Sequence, residues 1–378
     1  MIQRSGYTSD TTGLERLTDF DEAWLVSGHG PKLKAIRKAA FGLRERLAAG
    51  PRVVAVRTLP VATLAYPTKY AFWSAPLLPF PYVIMKHQCL LVQFLQRGEL
   101  KNLLFNPTDD IASRATPFFK RMIEQVGEYV AFNVLQQKFD TLESQLAEVG
   151  LEPADIDYVA FDHFHTQDLR GLLGTRTGRP SRFPSATLLA PVREWDDWDD
   201  LHPMQKAWFV ADGKLDVNTA RVLLTDGDLS LGDGLVLVRT PGHTSGNQTL
   251  FLNTQDGVWG CSENGTCADN WSPLDSKIPG LARLCRQQDL DIVINANTPE
   301  LGALQYTSMV LERTLVDRVE YAPAFVQMFA SSEVQASALA PGLKPTVAFE
   351  KLQFGQVTRP VRSRGRSTDV SLSTSVAE

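Results

Sequence analysis

Phe161-Asp162-His163-Phe164-His165-Thr166-Gln167-Asp168-Leu169-Arg170-Gly171 continues the run Asp157-Tyr158-Val159-Ala160. That run predicts a buried strand over 157–161, and side chains two apart on a strand or its exit leave on the same side. His163 and His165 can therefore grip one metal ion. A third imidazole comes from Thr240-Pro241-Gly242-His243-Thr244-Ser245-Gly246, where a second apolar run ends in a turn. Three of the six histidines are thus placed in loops that follow strands.

Just upstream, Asp140 and Glu143 form a capping-box pattern, Leu142, Leu146 and Val149 share a face, and Gly150 ends the helix they predict. Helix, short loop, strand and histidine loop make a unit that carries polar ligands to the end of a buried strand. Further out, Val53–Val56, Tyr82–Met85, Cys89–Phe94 and Leu103–Phe105 read as strands, and Pro117 to Leu135 reads as a helix. The later half repeats the texture. It gives a strand at Ala186–Ala190, a Trp-rich helix over Val192–Gln205 and strands at Arg221–Leu224, Leu235–Arg239, Thr249–Leu252 and Val258–Trp259. A helix from Pro279 to Gln288, a strand over Asp291–Asn295 and a helix over Ala303–Val319 follow.

These elements divide the chain into an N-terminal helical extension, 1–51, a central domain, 52–330, and a C-terminal extension, 331–378, expected to be disordered from about Thr358. The extension's helix, Pro31 to Ala49, is basic, which reads as a solvated face or as a contact for a membrane surface or partner subunit. The whole chain of 378 residues, 43% hydrophobic, can bury a full core. With 38 basic and 43 acidic residues its net charge is −5, which argues against a nucleic-acid partner. Four spread cysteines fit reduced thiols in a cytoplasmic protein, and neither a secretory signal nor a membrane span is visible. The most apolar stretch, Ala71 to Met85, is broken by three prolines. A homo-oligomer is compatible with all of this.

The histidine loop, the preceding Leu142–Gly150 and Pro153–Asp157 segments, Asp226-Gly227-Asp228, the Thr240–Gly246 loop and Gly260 after an apolar strand occur in the order found in the metallo-β-lactamase superfamily, which the chain resembles over about residues 52–320. The resemblance implies an α+β fold, an αββα sandwich of two mixed β-sheets flanked by helices. It also implies a first metal site made of His163, His165 and His243. The superfamily's His-x-His-x-Asp-His pattern supplies a second site, and here every corresponding position departs from it. Gln167 stands for Asp, Asp168 for His, Cys261 for the bridging carboxylate, and Asn297 for the last histidine.

Three neutral imidazoles leave a zinc-like ion one open position, where bound water has its pKa lowered to about 7. The expected activity is a metal-dependent hydrolase whose metal hydroxide attacks the carbonyl of a small ester, lactone, thioester or amide. One zinc ion is expected, with iron or a second ion as alternatives. A metal-bearing binding protein, or a non-hydrolytic redox-metal enzyme on the same fold, is the competing reading. Asp168 is the candidate proton shuttle or second ligand, against a loop-capping role. Cys261 reads either as a thiolate ligand or as a small buried core residue, and Glu263 competes with it as an oxygen ligand. The aromatic stretch Phe72–Tyr82 reads as a substrate wall or as core, and Gly171–Gly178 as a mobile loop rather than a phosphate cradle.

Overall fold

The computed structural model describes residues 3–4 and 12–360. Two sheets form its centre, and their strands read as continuous apolar runs because both faces of each sheet are covered. In the first sheet, Ala55–Pro67, Tyr82–Gln96 and Glu99–Phe105 form an antiparallel meander. Tyr158–Ala160, Thr187–Pro191 and Val222–Thr225 then add in parallel. The second sheet runs Met328–Ala330, Gly257–Ser262, Gln248–Thr254, Leu235–Arg239, Asp228–Gly232 and Glu15–Leu17.

Alternation sorts the side chains into layers. Leu90, Val92, Leu103, Phe105 and Leu189 meet Leu229, Leu237, Leu250, Leu252 and Phe329 between the sheets. Their strand neighbours Cys89, Leu91, Leu104, Val159 and Leu188 point the other way, under the helices Leu142–Glu148, Leu169–Leu173 and Leu281–Gln288. On the far side, Val236, Val238, Phe251 and Val258 pack beneath the helices His29–Ala49 and Gly302–Leu315. Each fully buried side chain of this size contributes about 1.5–3 kcal/mol. This is the expected αββα sandwich.

Both ends of the described chain join that body. Arg37 of the basic helix pairs with Asp291 at 2.6 Å, and Arg44 and Arg46 pair with Asp317 and Asp19. Ser332–Gln335 and Gln353–Phe354 extend the first sheet, on Tyr82–Gln96 and Ala55–Pro67 respectively. Thr358 exchanges hydrogen bonds with the Gln93 amide, and Arg359 pairs with Glu152 at 2.9 Å. The disorder expected beyond residue 360 lies outside the described residues. Among those residues no helix is long and apolar enough to cross a membrane.

Several elements differ from expectation for local reasons. Thr141, not Asp140, caps the helix Leu142–Glu148, its hydroxyl accepting from Ser144 N at 3.2 Å. The helix from Pro117 stops at Val126, because Gly127 takes a positive φ of 82° that ends the turn. The Trp-rich helix ends at Asp197, and the next residue, Trp198, is buried in the core with its Nε1 donating to the Val210 carbonyl at 3.1 Å. Residues 291–295 form no strand; Asn295 serves the site instead.

Candidate metal centre

Phe161 and Phe164 turn into the core, with ring centroids 5.8 Å apart, which sends His163 and His165 to the opposite side. His243 joins them from the turn between Leu235–Arg239 and Gln248–Thr254. One candidate ligand atom from each imidazole lies within 4.8 Å of the other two. His165 Nδ1 and His243 Nε2 are 3.1 Å apart. Two ligands of a tetrahedral zinc with bonds of about 2.0–2.1 Å lie roughly 3.3 Å apart, so the spacing fits. Burial, then the neighbouring histidines, pull His165 and His243 well below the usual imidazole range. Both are therefore neutral near pH 7, with lone pairs free for a cation.

The remaining ring nitrogens are tied back. His163 Nδ1 is 2.7 Å from Asp162 Oδ1, and His165 Nε2 is 2.7 Å from Gln205 Oε1. These contacts aim Nε2 of His163 and Nδ1 of His165 into the cluster. Asp162 is itself fixed, accepting from Asn106 Nδ2 at 3.1 Å and from the Ser331 hydroxyl. Burial opposes its charge, yet His163 and the Ser331 hydroxyl hold its carboxyl below the ordinary range.

A second carboxylate joins the two loops. Buried Glu194 accepts from Phe164 N at 2.8 Å, Thr244 Oγ1 at 2.7 Å and Gly246 N at 3.2 Å, so one side chain sets the distance between the His163–His165 loop and the His243 turn. Gly246 has to be glycine, because a Cβ there would lie 2.4 Å from Glu194 N. From the other side, Asn264 accepts from His243 N at 3.0 Å. Asn264 is in turn held by Glu312, which also accepts from Thr249 and Trp271.

The other expected site residues are not brought into the cluster. Asp168 caps the helix Leu169–Leu173 and forms an ion pair with Arg170, Nη2 to Oδ2 at 2.6 Å, the loop-capping role that was its alternative reading. A cation already neutralises it. Cys261 faces the layer between the sheets, 3.6 Å from the Ser331 hydroxyl, and burial pushes its thiol well above the usual range. Its surroundings there are those of a core residue. Gln167 spends its amide on Thr108 Oγ1 and the His165 carbonyl. Glu263 and Asn297 do line the cavity that holds the three histidines.

That cavity has an apolar wall of Val61, Leu64, Met85, Phe118, Phe119 and Trp208. The stretch expected to supply it, Phe72–Tyr82, is absent from the lining, and Phe72 is buried in the core. Four polar atoms among the lining residues lack hydrogen-bond partners: Asp110 Oδ2, Glu263 Oε2, Asn297 Oδ1 and His87 Nε2. Sequence reading missed His87, Asp162, Glu194 and Gln205. Asp162 carried a usable signal, a carboxylate adjoining the first histidine. The others come from distant segments.

No family model matches the chain. A curated relative, the N-acyl homoserine lactonase AttM of Azorhizobium caulinodans, is 29% identical over 119 residues, covering 29% of this chain and 40% of that protein. The match therefore spans less than half of that relative. Among solved structures, a probable metal-dependent hydrolase from Staphylococcus aureus aligns with a TM-score of 0.48 and 14% identity, over 68% of this chain and 83% of that one. A quorum-quenching N-acyl homoserine lactone lactonase aligns with a TM-score of 0.42 and 17% identity, over 64% and 89%.

Proposed function

We propose that the protein is a metallo-β-lactamase-like, metal-dependent hydrolase in which His163, His165 and His243 hold one zinc ion and an apolar-tailed ester or lactone is cleaved beside it. The observation that carries this reading is the convergence of three buried imidazoles, two of them held neutral, on a cavity with an apolar wall. When bound, such an ion acts as a Lewis acid and makes its water a nucleophile near pH 7.

The protein's own part is positioning. Asp162 and Gln205 fix two ring orientations, and Glu194 fixes the loop separation. Val61, Leu64, Phe118 and Phe119 would hold the aliphatic part of the substrate and exclude water from it. The lactonase match over 119 residues supports lactones as members of the substrate class.

A panel of aliphatic esters and lactones, assayed with wild type, chelator-treated protein and His243→Ala, tests the proposal. Turnover that needs both the ion and His243 is expected. Turnover that survives in His243→Ala at the wild-type rate would refute it.

A further inference from the structure

We propose that Glu263 is the acid of this site, its carboxyl delivering a proton to the leaving oxygen of an aliphatic ester or lactone. The assignment rests on the hydrolase reading and narrows it, since thioesters and esters of acidic alcohols would not need such a group.

Glu263 follows the strand Gly257–Ser262 and is 5% exposed. Its Oε2 lacks a partner, and the residue lines the same cavity as the three histidines. Its other contacts come from the strand Ser332–Gln335, where the hydroxyl and backbone N–H of Ser332 hydrogen-bond the carboxyl. His87 Nδ1 lies 3.0 Å from Ser332 Oγ. The Ser332 contacts leave the other carboxyl oxygen without a partner, so the carboxyl proton falls to that oxygen. Ser332 is thus a positioning residue, and Glu263 is the group facing substrate.

No lysine or arginine is among the described residues lining the cavity. Burial, then the negative charge of Asp162, pushes the Glu263 carboxyl well above the usual range. The other acids of the lining are engaged elsewhere: the Tyr66 hydroxyl donates to Asn295 Oδ1 at 2.6 Å, Asp162 is held by His163 and Ser331, and Asp110 faces the Arg114 guanidinium at 3.8 Å.

The step balances without a co-reactant. After water has added to the carbonyl carbon, the bond from that carbon to the leaving oxygen breaks and the oxygen takes the Glu263 proton. The carboxylate left behind takes a proton from the new carboxylic acid as the carbonyl re-forms. An aliphatic alkoxide is far too basic to depart unprotonated, whereas a phenol has a pKa of about 10 and a thiol one of about 8.5.

Leaving-group dependence is the test. Glu263→Gln and Ser332→Ala are compared with wild type on ethyl hexanoate and 4-nitrophenyl hexanoate, with metal content and thermal melting measured on each protein. For Glu263→Gln, kcat on the ethyl ester is expected to fall about 100-fold or more, and on the aryl ester about threefold or less, at unchanged metal content. Ser332→Ala is expected to show the same selectivity more weakly, which keeps the test alive if Glu263→Gln does not fold. Equal losses on both esters, or loss of metal from Glu263→Gln, would overturn the assignment while leaving the hydrolase reading in place. A wild type that cleaves neither these esters nor the lactone panel removes the hydrolase reading, and this assignment falls with it.

Discussion

Glu194→Ala should damage both folding and metal binding, although Glu194 is absent from the cluster of metal-ligand candidates. In the native protein its two oxygens accept from Phe164 N, Thr244 Oγ1 and Gly246 N. Truncation leaves three buried donors unpaired, each costing about 1–3 kcal/mol. Part of that is offset, because burial already penalises the carboxylate and holds its pKa above the ordinary range. A net loss of about 2–4 kcal/mol follows, within the range for breaking a buried charged network. Because the same side chain spaces the two histidine loops, metal affinity should also fall, by about 10–100-fold, as when an outer-shell partner is removed. Urea denaturation of the metal-free protein reads the first effect, and competition with a chromophoric chelator reads the second. A loss below about 1 kcal/mol with unchanged metal affinity would show that Glu194 does not set the loop geometry.

Asp162→Asn should weaken metal binding by about 10–100-fold, because the amide cannot orient and charge-stabilise the His163 ring as the carboxylate does; chelator competition checks it. Asp168→Ala and Cys261→Ala should each cost about 1 kcal/mol, one through a lost helix cap and ion pair and the other through a lost core contact. Metal analysis should find the wild-type stoichiometry in both, and loss of the ion from either would restore that residue as a ligand. Stability of the metal-free protein should fall with acid. Burial lowers the His87 pKa from 6.5 to about 4, and His165 and His243 move in the same direction. Between those values the unfolded chain binds more protons than the folded one, so stability rises with pH. The urea midpoint should be level above about pH 6.5, as far as these groups govern it, and should decline from there toward pH 4. A midpoint that rises on acidification contradicts the burial assigned to these rings.

The histidine loop was legible because two histidines one residue apart directly follow an apolar strand, here Tyr158–Ala160, and the aromatic Phe164 between them is drawn into the core. His243 was legible for a similar reason, as a Pro-Gly-His turn closing an apolar run. The layering followed from the length and spacing of such runs. What could not be read were groups whose importance arises only from tertiary approach. Glu194 and Glu263 look like ordinary acidic residues until Gly246 and Ser332, from remote segments, are brought against them. For Asp168 the sequence left two roles open, and the structure shows Arg170, two residues on, paired with its carboxylate. For Cys261 the strand register, which is set by distant partners, turns the thiol into the layer between the sheets.

The central claim, that His163, His165 and His243 form one metal site, is tested most directly by elemental analysis of the purified protein beside its His163→Ala, His165→Ala and His243→Ala variants. One equivalent of metal per chain in the wild type, falling to a small fraction in each variant, is the predicted result. A folded wild type that takes up no metal when supplied with zinc, or variants that keep the full equivalent, would contradict it.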